Sequence, residues 1–248
     1  MMKLKTFLII VIVVAFGFNV YSQNETVIHS VPLYWSFELS SNHLASAHGI
    51  KNYHAPYYPT ASGSIYLNWN LPLTKTKSIP ITGFSISPGI GIGASTISIN
   101  KDLQENCGVI IINDIEGPYE YNYIQGIYLD IPIDFRYLTT PNDKRQNFVF
   151  ELGLKLGKLL YTEKEIQVKE NVDLYTHKTR NIGILNKFRY GINSKIGYRK
   201  LKINKNNDAM GMAFSTVVNY YFSDVFIDQA DIYSKSFSIG ASVSFIFK

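Results

Sequence analysis

The chain has 248 residues, of which 46% are hydrophobic, 14% aromatic and only 17% charged, which is enough apolar material for one packed unit and too much for a disordered one. Its formal charge of +5 comes from Lys and Arg scattered along the chain, so it lacks the clustered basic footprint of a nucleic-acid binder. A single cysteine, Cys107, excludes an intramolecular disulfide and any cysteine-based metal site.

Lys3 and Lys5 precede an apolar run from Phe7 to Phe18, followed by Val20-Tyr21-Ser22 and Gln23. This is the layout of an export signal, with cleavage expected after Ser22, so residues 1–22 form a signal peptide and residues 23–248 the mature domain. The run falls short of the roughly twenty residues of a membrane helix, and no cysteine follows it to make a lipoprotein. No later segment is long and apolar enough for a transmembrane helix. A membrane location would therefore be reached with strands.

Strands are predicted over Leu33–Leu39, Ile65–Leu73 and Ile81–Ile99. In the third, Gly83, Gly89, Gly91 and Gly93 share one parity, which suits a narrow lumen or a tight bend. From Tyr121 to Leu138, Tyr121, Tyr123, Ile127, Leu129, Ile131, Ile133, Phe135 and Tyr137 alternate with Asn122, Gly126, Asp130, Pro132, Asp134 and Arg136. Such alternation, sustained past the length of an ordinary strand, is expected of a tilted membrane strand with one face in lipid. Pro88 and Pro132 oppose this reading, because proline removes a ladder donor and calls for a bulge or a strand end.

The split recurs. Phe148, Phe150, Leu152, Leu154 and Leu156 lie opposite Glu151, Gly153, Lys155 and Gly157, and Phe188, Tyr190, Ile192, Ile196 and Tyr198 lie opposite Arg189, Asn193, Lys195 and Arg199. A strand over Ala209–Phe222 follows, and a last one has Phe237, Ile239, Ala241, Val243, Phe245 and Phe247 on one parity and Gly240 with serines on the other. The total is eight strands, an even number, and one that closes a barrel whose interior is nearly filled by side chains. Long connections at 40–64, 100–120, 162–185 and 223–234 alternate with short ones at 74–78, 139–146 and 204–208, as periplasmic turns and external loops do. The short ones carry Pro141-Asn142-Asp143 and Asn206-Asn207-Asp208, which favour tight turns. The fold class is an all-β, eight-stranded, antiparallel up-and-down transmembrane β-barrel. Trp35, Trp69, Tyr34, Tyr66, Tyr121, Tyr123, Tyr198, Tyr220 and Tyr221 are expected to form interface girdles.

The polar parity places Glu38, Asp130, Asp134, Arg136, Glu151, Lys155, Arg189, Lys195 and Arg199 in the lumen, where they are expected to pair as a structural charge network. In the first external loop His43, His48 and His54 stand near Tyr53, Tyr57 and Tyr58, but their spacing matches no compact metal motif. Ser41 or Ser46 with His43 sketches a hydrolytic pair that still lacks an orienting acid. The third long loop mixes Glu163, Lys164, Glu165, Lys169, Glu170, Asp173, Lys178 and Arg180, and reads either as a solvated loop or as a surface for a partner or lipopolysaccharide.

The final stretch Ser236–Phe247, with Phe237, Ile239, Val243, Phe245 and Phe247, resembles the C-terminal β-signal of outer-membrane barrels, although Lys248 follows the aromatic. The stretch Tyr128-Leu129-Asp130-Ile131-Pro132-Ile133-Asp134-Phe135-Arg136-Tyr137, with the Gly-rich strand Phe148–Gly157 after it, resembles the PorT-like outer-membrane barrel family of Bacteroidetes. The first resemblance implies recognition by the barrel-assembly machinery. The second implies a membrane barrel without catalytic residues, some of whose relatives are linked to secretion and gliding. The expectation is an outer-membrane protein with both termini periplasmic and a structural or interaction role, accessory to protein secretion or envelope organisation, with no cofactor. Its alternatives are an outer-membrane lipid-modifying enzyme and a narrow passive channel for small or apolar solutes.

Overall fold

The computed structural model describes residues 33–46, 60–72, 83–106, 109–115, 118–139, 146–170, 173–203, 209–227 and 234–247. The proposed signal peptide, Cys107, His48, His54, Tyr53, Tyr57, Tyr58, Lys248 and the short-turn sequences at 74–78, 141–143 and 206–208 lie outside them.

Twelve strands are present among the described residues: β1 (Leu33–Ser46), β2 (Ala61–Trp69), β3 (Leu71–Pro72), β4 (Gly83–Ser98), β5 (Asp102–Asn106), β6 (Val109–Asn113), β7 (Tyr119–Leu138), β8 (Gln146–Glu170), β9 (Asp173–Arg180), β10 (Phe188–Ile203), β11 (Ala209–Tyr221) and β12 (Ser234–Phe247). Eight of them form one antiparallel ring in the order β10, β11, β12, β1, β2, β4, β7, β8, closed by pairing of β8 with β10. Each neighbour in the ring is the next barrel strand in the chain, and the last, β12, pairs with β1 from Leu33↔Phe247 to Ser46↔Ser234. The described chain ends, Leu33 and Phe247, thus sit at the end that holds the short connections.

Period-two patterning explains which face turns outward. Leu152, Leu154, Phe135, Ile196 and Phe214 are each more than half exposed, while the alternate residues Asp134, Lys155, Asn193 and Lys195 are buried. Water-soluble sheets bury the apolar parity, whereas here hydrocarbon is outside and charge inside. Aromatic contacts gather at both ends of this belt. Phe84 and Tyr137 meet at a tilt at 4.7 Å and Phe148 meets Tyr198 edge-on at 5.8 Å at the short-turn end, and Tyr220 meets Phe222 at 5.4 Å at the other. Trp35, Trp69, Tyr198 and Tyr220 face outward as expected. Tyr34 and Tyr66 do not, being buried in the lumen at 2% and 1% exposure, and Tyr221 lies against Arg189 there. Each shares its strand parity with inward polar residues, and a phenol can bury its ring while satisfying its hydroxyl.

The two prolines need neither a bulge nor a strand end. The β4–β7 register is interrupted, without a shift, between Pro88↔Ile133 and Gly91↔Asp130, so both fall in or beside a single gap.

Three of the predicted long connections hold more strand than their polarity suggested. β1 runs on to Ser46, and β5 and β6 form a separate two-stranded sheet within 100–120. The long connection predicted at 162–185 is mostly a hairpin. β8 bulges where Ile127↔Tyr161 gives way to Tyr128↔Leu159, leaving Leu160 as the extra residue, then leaves β10 and takes β9 as its partner from Glu163↔Arg180 to Glu170↔Asp173. The bulge inverts the inward parity of β8 from odd to even numbers, so Thr162 and Lys164 become buried. Asn181 then turns the chain with φ 54°, in the left-handed region that Asn tolerates, its amide donating to Thr162 O at 2.8 Å.

The long-connection end carries its own apolar core. Ile97, Ile99, Leu103, Ile110, Ile124, Ile184, Leu185 and Phe226 form one buried cluster. The segments around 184 and 226 are joined by Asn186 N→Val225 O at 2.8 Å and Ile227 N→Ile184 O at 3.0 Å. Leu185 reaches the inward side of Gly126 on β7, one inward position from Tyr128. The apolar cluster thus continues directly from the polar lumen contents.

Candidate functional site

Ion pairs join the lumen residues read from the sequence across the barrel. Glu38 on β1 accepts from Lys155 of β8 at 3.0 Å and pairs with Lys195 of β10 at 2.8 Å. Lys195 lies 3.6 Å from Asp134 and 3.5 Å from Glu151, and Glu151 pairs with Arg136 at 2.9 Å. Nearer the long connections, Arg189 grips Asp130 with two bonds, Nε to Oδ1 at 3.1 Å and Nη2 to Oδ2 at 2.6 Å. Arg199, at the short-turn end, is buried within electrostatic range of Arg136 and Glu151.

Tyrosines absent from the sequence-based site complete the arrangement. Tyr66 donates to Asp130 Oδ2 at 3.1 Å and offers its ring face to Lys155 at 4.9 Å, which links the two ion-pair groups. Arg136 lies over Tyr34 at 4.8 Å, and Arg189 over Tyr128 at 3.9 Å and Tyr221 at 5.0 Å. Tyr34 and Ser87 hydroxyls bond at 2.6 Å, and the Asn193 amide donates to Asp134 Oδ1 at 2.8 Å. Their signal was in the alternation: Tyr34 precedes Ser36 and Glu38 on one parity, and Tyr66 precedes Asn68 on another.

Space for these groups comes from glycine. A Cβ on Gly93 would stand 2.7 Å from Asp130 Oδ2 and 2.9 Å from Arg189 Nη2, and one on Gly157 would collide with the Asp130 carboxylate and lie 2.8 Å from Arg189 Cγ. Gly157→Val is expected to destabilise the barrel by about 1–3 kcal/mol through overpacking. Urea titration of the refolded chain measures it, and wild-type stability would mean that the Asp130–Arg189 pair is not held as described.

Above the belt, the outer face of the β8–β9 hairpin has its own network. Lys178 pairs with Glu163 at 2.8 Å and Glu165 at 2.9 Å, Tyr161 donates to Glu163 at 2.6 Å, and Tyr121 and Tyr123 each donate to Glu165 at 2.7 Å. Tyr121 and Tyr123 thus belong to this network rather than to an interface girdle. The Lys178 ammonium, followed by the Tyr161 hydroxyl, holds the Glu163 carboxyl below the usual carboxylate range. For Glu165 burial acts upward, but the bonds from Lys178, Tyr123 and Tyr121 outweigh it and the net shift is also downward. Because both folded values lie below the unfolded ones, their stabilisation is present above the unfolded carboxylate pKa and is lost as pH falls through the folded values. Hydrogen exchange at β9 amides, corrected for intrinsic rate, should therefore accelerate on acidification below the ordinary carboxylate range before the barrel strands respond. Unchanged protection there would contradict the network.

His43 hydrogen-bonds Ser41 at 3.4 Å on the outward side of β1 and stacks on Phe237 at 4.8 Å. Among the described residues no carboxylate bonds His43, and no three His, Cys, Asp or Glu side chains gather as a metal site. In β12, Phe237 and Ile239 are exposed on the outer face, and Phe247 pairs in backbone register with both Leu33 and Met210.

A closed ring of eight antiparallel strands, apolar outside and filled with paired charge inside, defines an up-and-down transmembrane β-barrel. No family model and no curated protein matches the chain. Similar solved structures include Ail, the attachment invasion locus protein of Yersinia pestis, in complex with the heparin analogue sucrose octasulfate, at 7% identity and TM-score 0.33 over 87% of this chain and 99% of that one. OprG from Pseudomonas aeruginosa is similar at 9% identity and TM-score 0.40 over 88% of this chain and 95% of that one. The outer membrane protease OmpT from Escherichia coli gives 9% identity and TM-score 0.36 over 91% of this chain and 100% of that one.

Proposed function

We propose that this chain is a bacterial outer-membrane barrel with a structural or interaction role, accessory to protein secretion or envelope organisation, and that its work is done at its rim rather than through its lumen. The observation that carries the reading is the filled interior. Lys155, Glu38, Lys195, Glu151 and Arg136 are buried and linked in that order by ion pairs, and an apolar cluster adjoins the lumen at the long-connection end. An eight-stranded barrel has little bore to spare, and a bore occupied by paired side chains offers solutes no continuous water path. The belt of Leu, Ile, Phe and Met outside it supports residence in a bilayer.

In this reading both termini are periplasmic, lipopolysaccharide surrounds the long-connection end, and the β8–β9 hairpin stands above it. Phe237, Ile239, Val243, Phe245 and Phe247 serve as the strand that the assembly machinery reads. The resemblance of Asp130-Ile131-Pro132 and its strand to the PorT-like family supports secretion-system proteins as partners. The test pairs two measurements. Liposomes holding the refolded chain should swell in small sugars no faster than protein-free ones. In cells, crosslinking should yield adducts with envelope or secretion proteins that disappear when Gln167–Thr176 is replaced by a short turn, while the barrel still assembles. Rapid swelling would move the function into the lumen, and adducts indifferent to the hairpin would remove the rim.

A further inference from the structure

We propose that the cleft between the β5–β6 hairpin and the inner face of the β8–β9 hairpin is a binding site for an uncharged oligosaccharide. The inference deepens the rim reading and rests on it for where such a glycan would be met, but not for whether it binds. The cleft has a volume of about 880 Å³, inside the range of roughly 300–1,000 Å³ usual for ligand sites.

Its walls follow from strand alternation. Leu103 is turned into the apolar cluster with no exposure, so its neighbours Asp102 and Gln104 face the other way, into the cleft. Opposite them, β8 contributes Lys164, Ile166 and Val168 on the parity created by the bulge at Leu160, and β9 contributes His177 and Thr179.

The chemistry of the lining selects the ligand. Its formal charges are already matched, since Lys164 bonds Asp102 and the Leu103 carbonyl, and Lys101 bonds Asp114 at the edge. A highly charged ligand would have to break one of these pairs to find a counter-ion. What then faces the space is the Asn113 amide, the Thr179 hydroxyl, the His177 imidazole and the Gln104 amide, whose Nε2 also donates to Asp102 Oδ2 at 2.6 Å, groups that both donate and accept. An apolar ligand would cover these groups without satisfying them, at about 1–3 kcal/mol each. Hydroxyls satisfy them. Ile166 and Val168, with the half-exposed Tyr175 opposite Val168, offer apolar surface to the C–H faces of a pyranose. A peptide is the weaker candidate, because the cleft lies over the face of the β8–β9 hairpin, whereas main-chain pairing needs a strand edge.

The test uses the full chain in lipid nanodiscs, free of glycosidic detergent, on an array that displays neutral, sialylated and sulfated oligosaccharides together with extended peptides. Neutral oligosaccharides should retain it above empty nanodiscs. The pair Gln104→Ala and Asn113→Ala should weaken that retention about tenfold, as expected for two lost hydrogen bonds, whereas Lys169→Ala, exposed on the opposite face of the hairpin and outside the Lys178 network, should not. Each variant is first shown to keep the gel mobility of a closed barrel. A closed barrel that retains no glycan overturns the site alone and leaves the rim reading standing. Retention only by charged glycans, or only by peptides, overturns the ligand class. Retention by neutral glycans together with failed hairpin-dependent crosslinking supports the site and removes the protein-partner reading.

Discussion

Glu38→Ala should cost this barrel about 3–5 kcal/mol of stability, the range for removing one partner from a buried ion pair. Glu38 is 4% exposed and is shared by two ammonium groups, Lys155 at 3.0 Å and Lys195 at 2.8 Å. Its removal strands Lys155 beside the Tyr66 ring and leaves Lys195 with only the longer contacts to Asp134 and Glu151. Water cannot easily return to repair the loss, because the apolar cluster adjoins one end of the network and Tyr34, Arg136 and Arg199 fill the other. Urea unfolding followed through Trp35 and Trp69 reads the change. Adding Lys155→Met to Glu38→Ala should cost less than the two singles together, since the cation to be stranded is then absent. Wild-type stability for Glu38→Ala would mean a solvated lumen.

Leu152→Arg should have an effect of similar size through the opposite face. Leu152 is 61% exposed, near the middle of the part of β8 that pairs with both β7 and β10. In water, an arginine there would be harmless or helpful. At the midplane of a bilayer it costs about 2–4 kcal/mol. The variant should lose stability in liposomes, whereas Lys158→Arg, on the same outward face where a charge is already exposed, should stay near wild type. Equal stability of Leu152→Arg and wild type in liposomes would place that face in water.

The ring of eight strands was legible because a half-buried strand writes its faces into alternate residues, and Phe148–Gly157 does so without interruption, Phe188–Arg199 with only Ser194 breaking its apolar face. The same alternation located Glu38, Asp134, Glu151 and Lys195, since charge has one tolerable side on a strand whose other side is hydrocarbon. It also put Tyr34 on the parity of Glu38 and Tyr66 on that of Asn68, but tyrosine suits both a membrane interface and a buried cation, so residue type assigned them, with Tyr221, to the girdle instead. The β8–β9 hairpin was hidden for a related reason. Residues 161–170 alternate Thr, Lys and Ile with Tyr, Glu and Gln, so both parities are polar enough to read as loop, and the strand emerges only from its pairing with Asp173–Arg180. The apolar cluster and the cleft depend on Leu103, Ile184 and Phe226 meeting across long connections, a tertiary event that no local period records.

The central claim is that the chain closes into a transmembrane barrel, and the most direct measurement is gel mobility of the outer-membrane fraction, boiled against unboiled. The account predicts an unboiled band that runs ahead of the boiled one, as a detergent-resistant closed barrel does. A chain found in the soluble periplasm, with the same mobility before and after boiling, would contradict it and require the apolar parity to be buried.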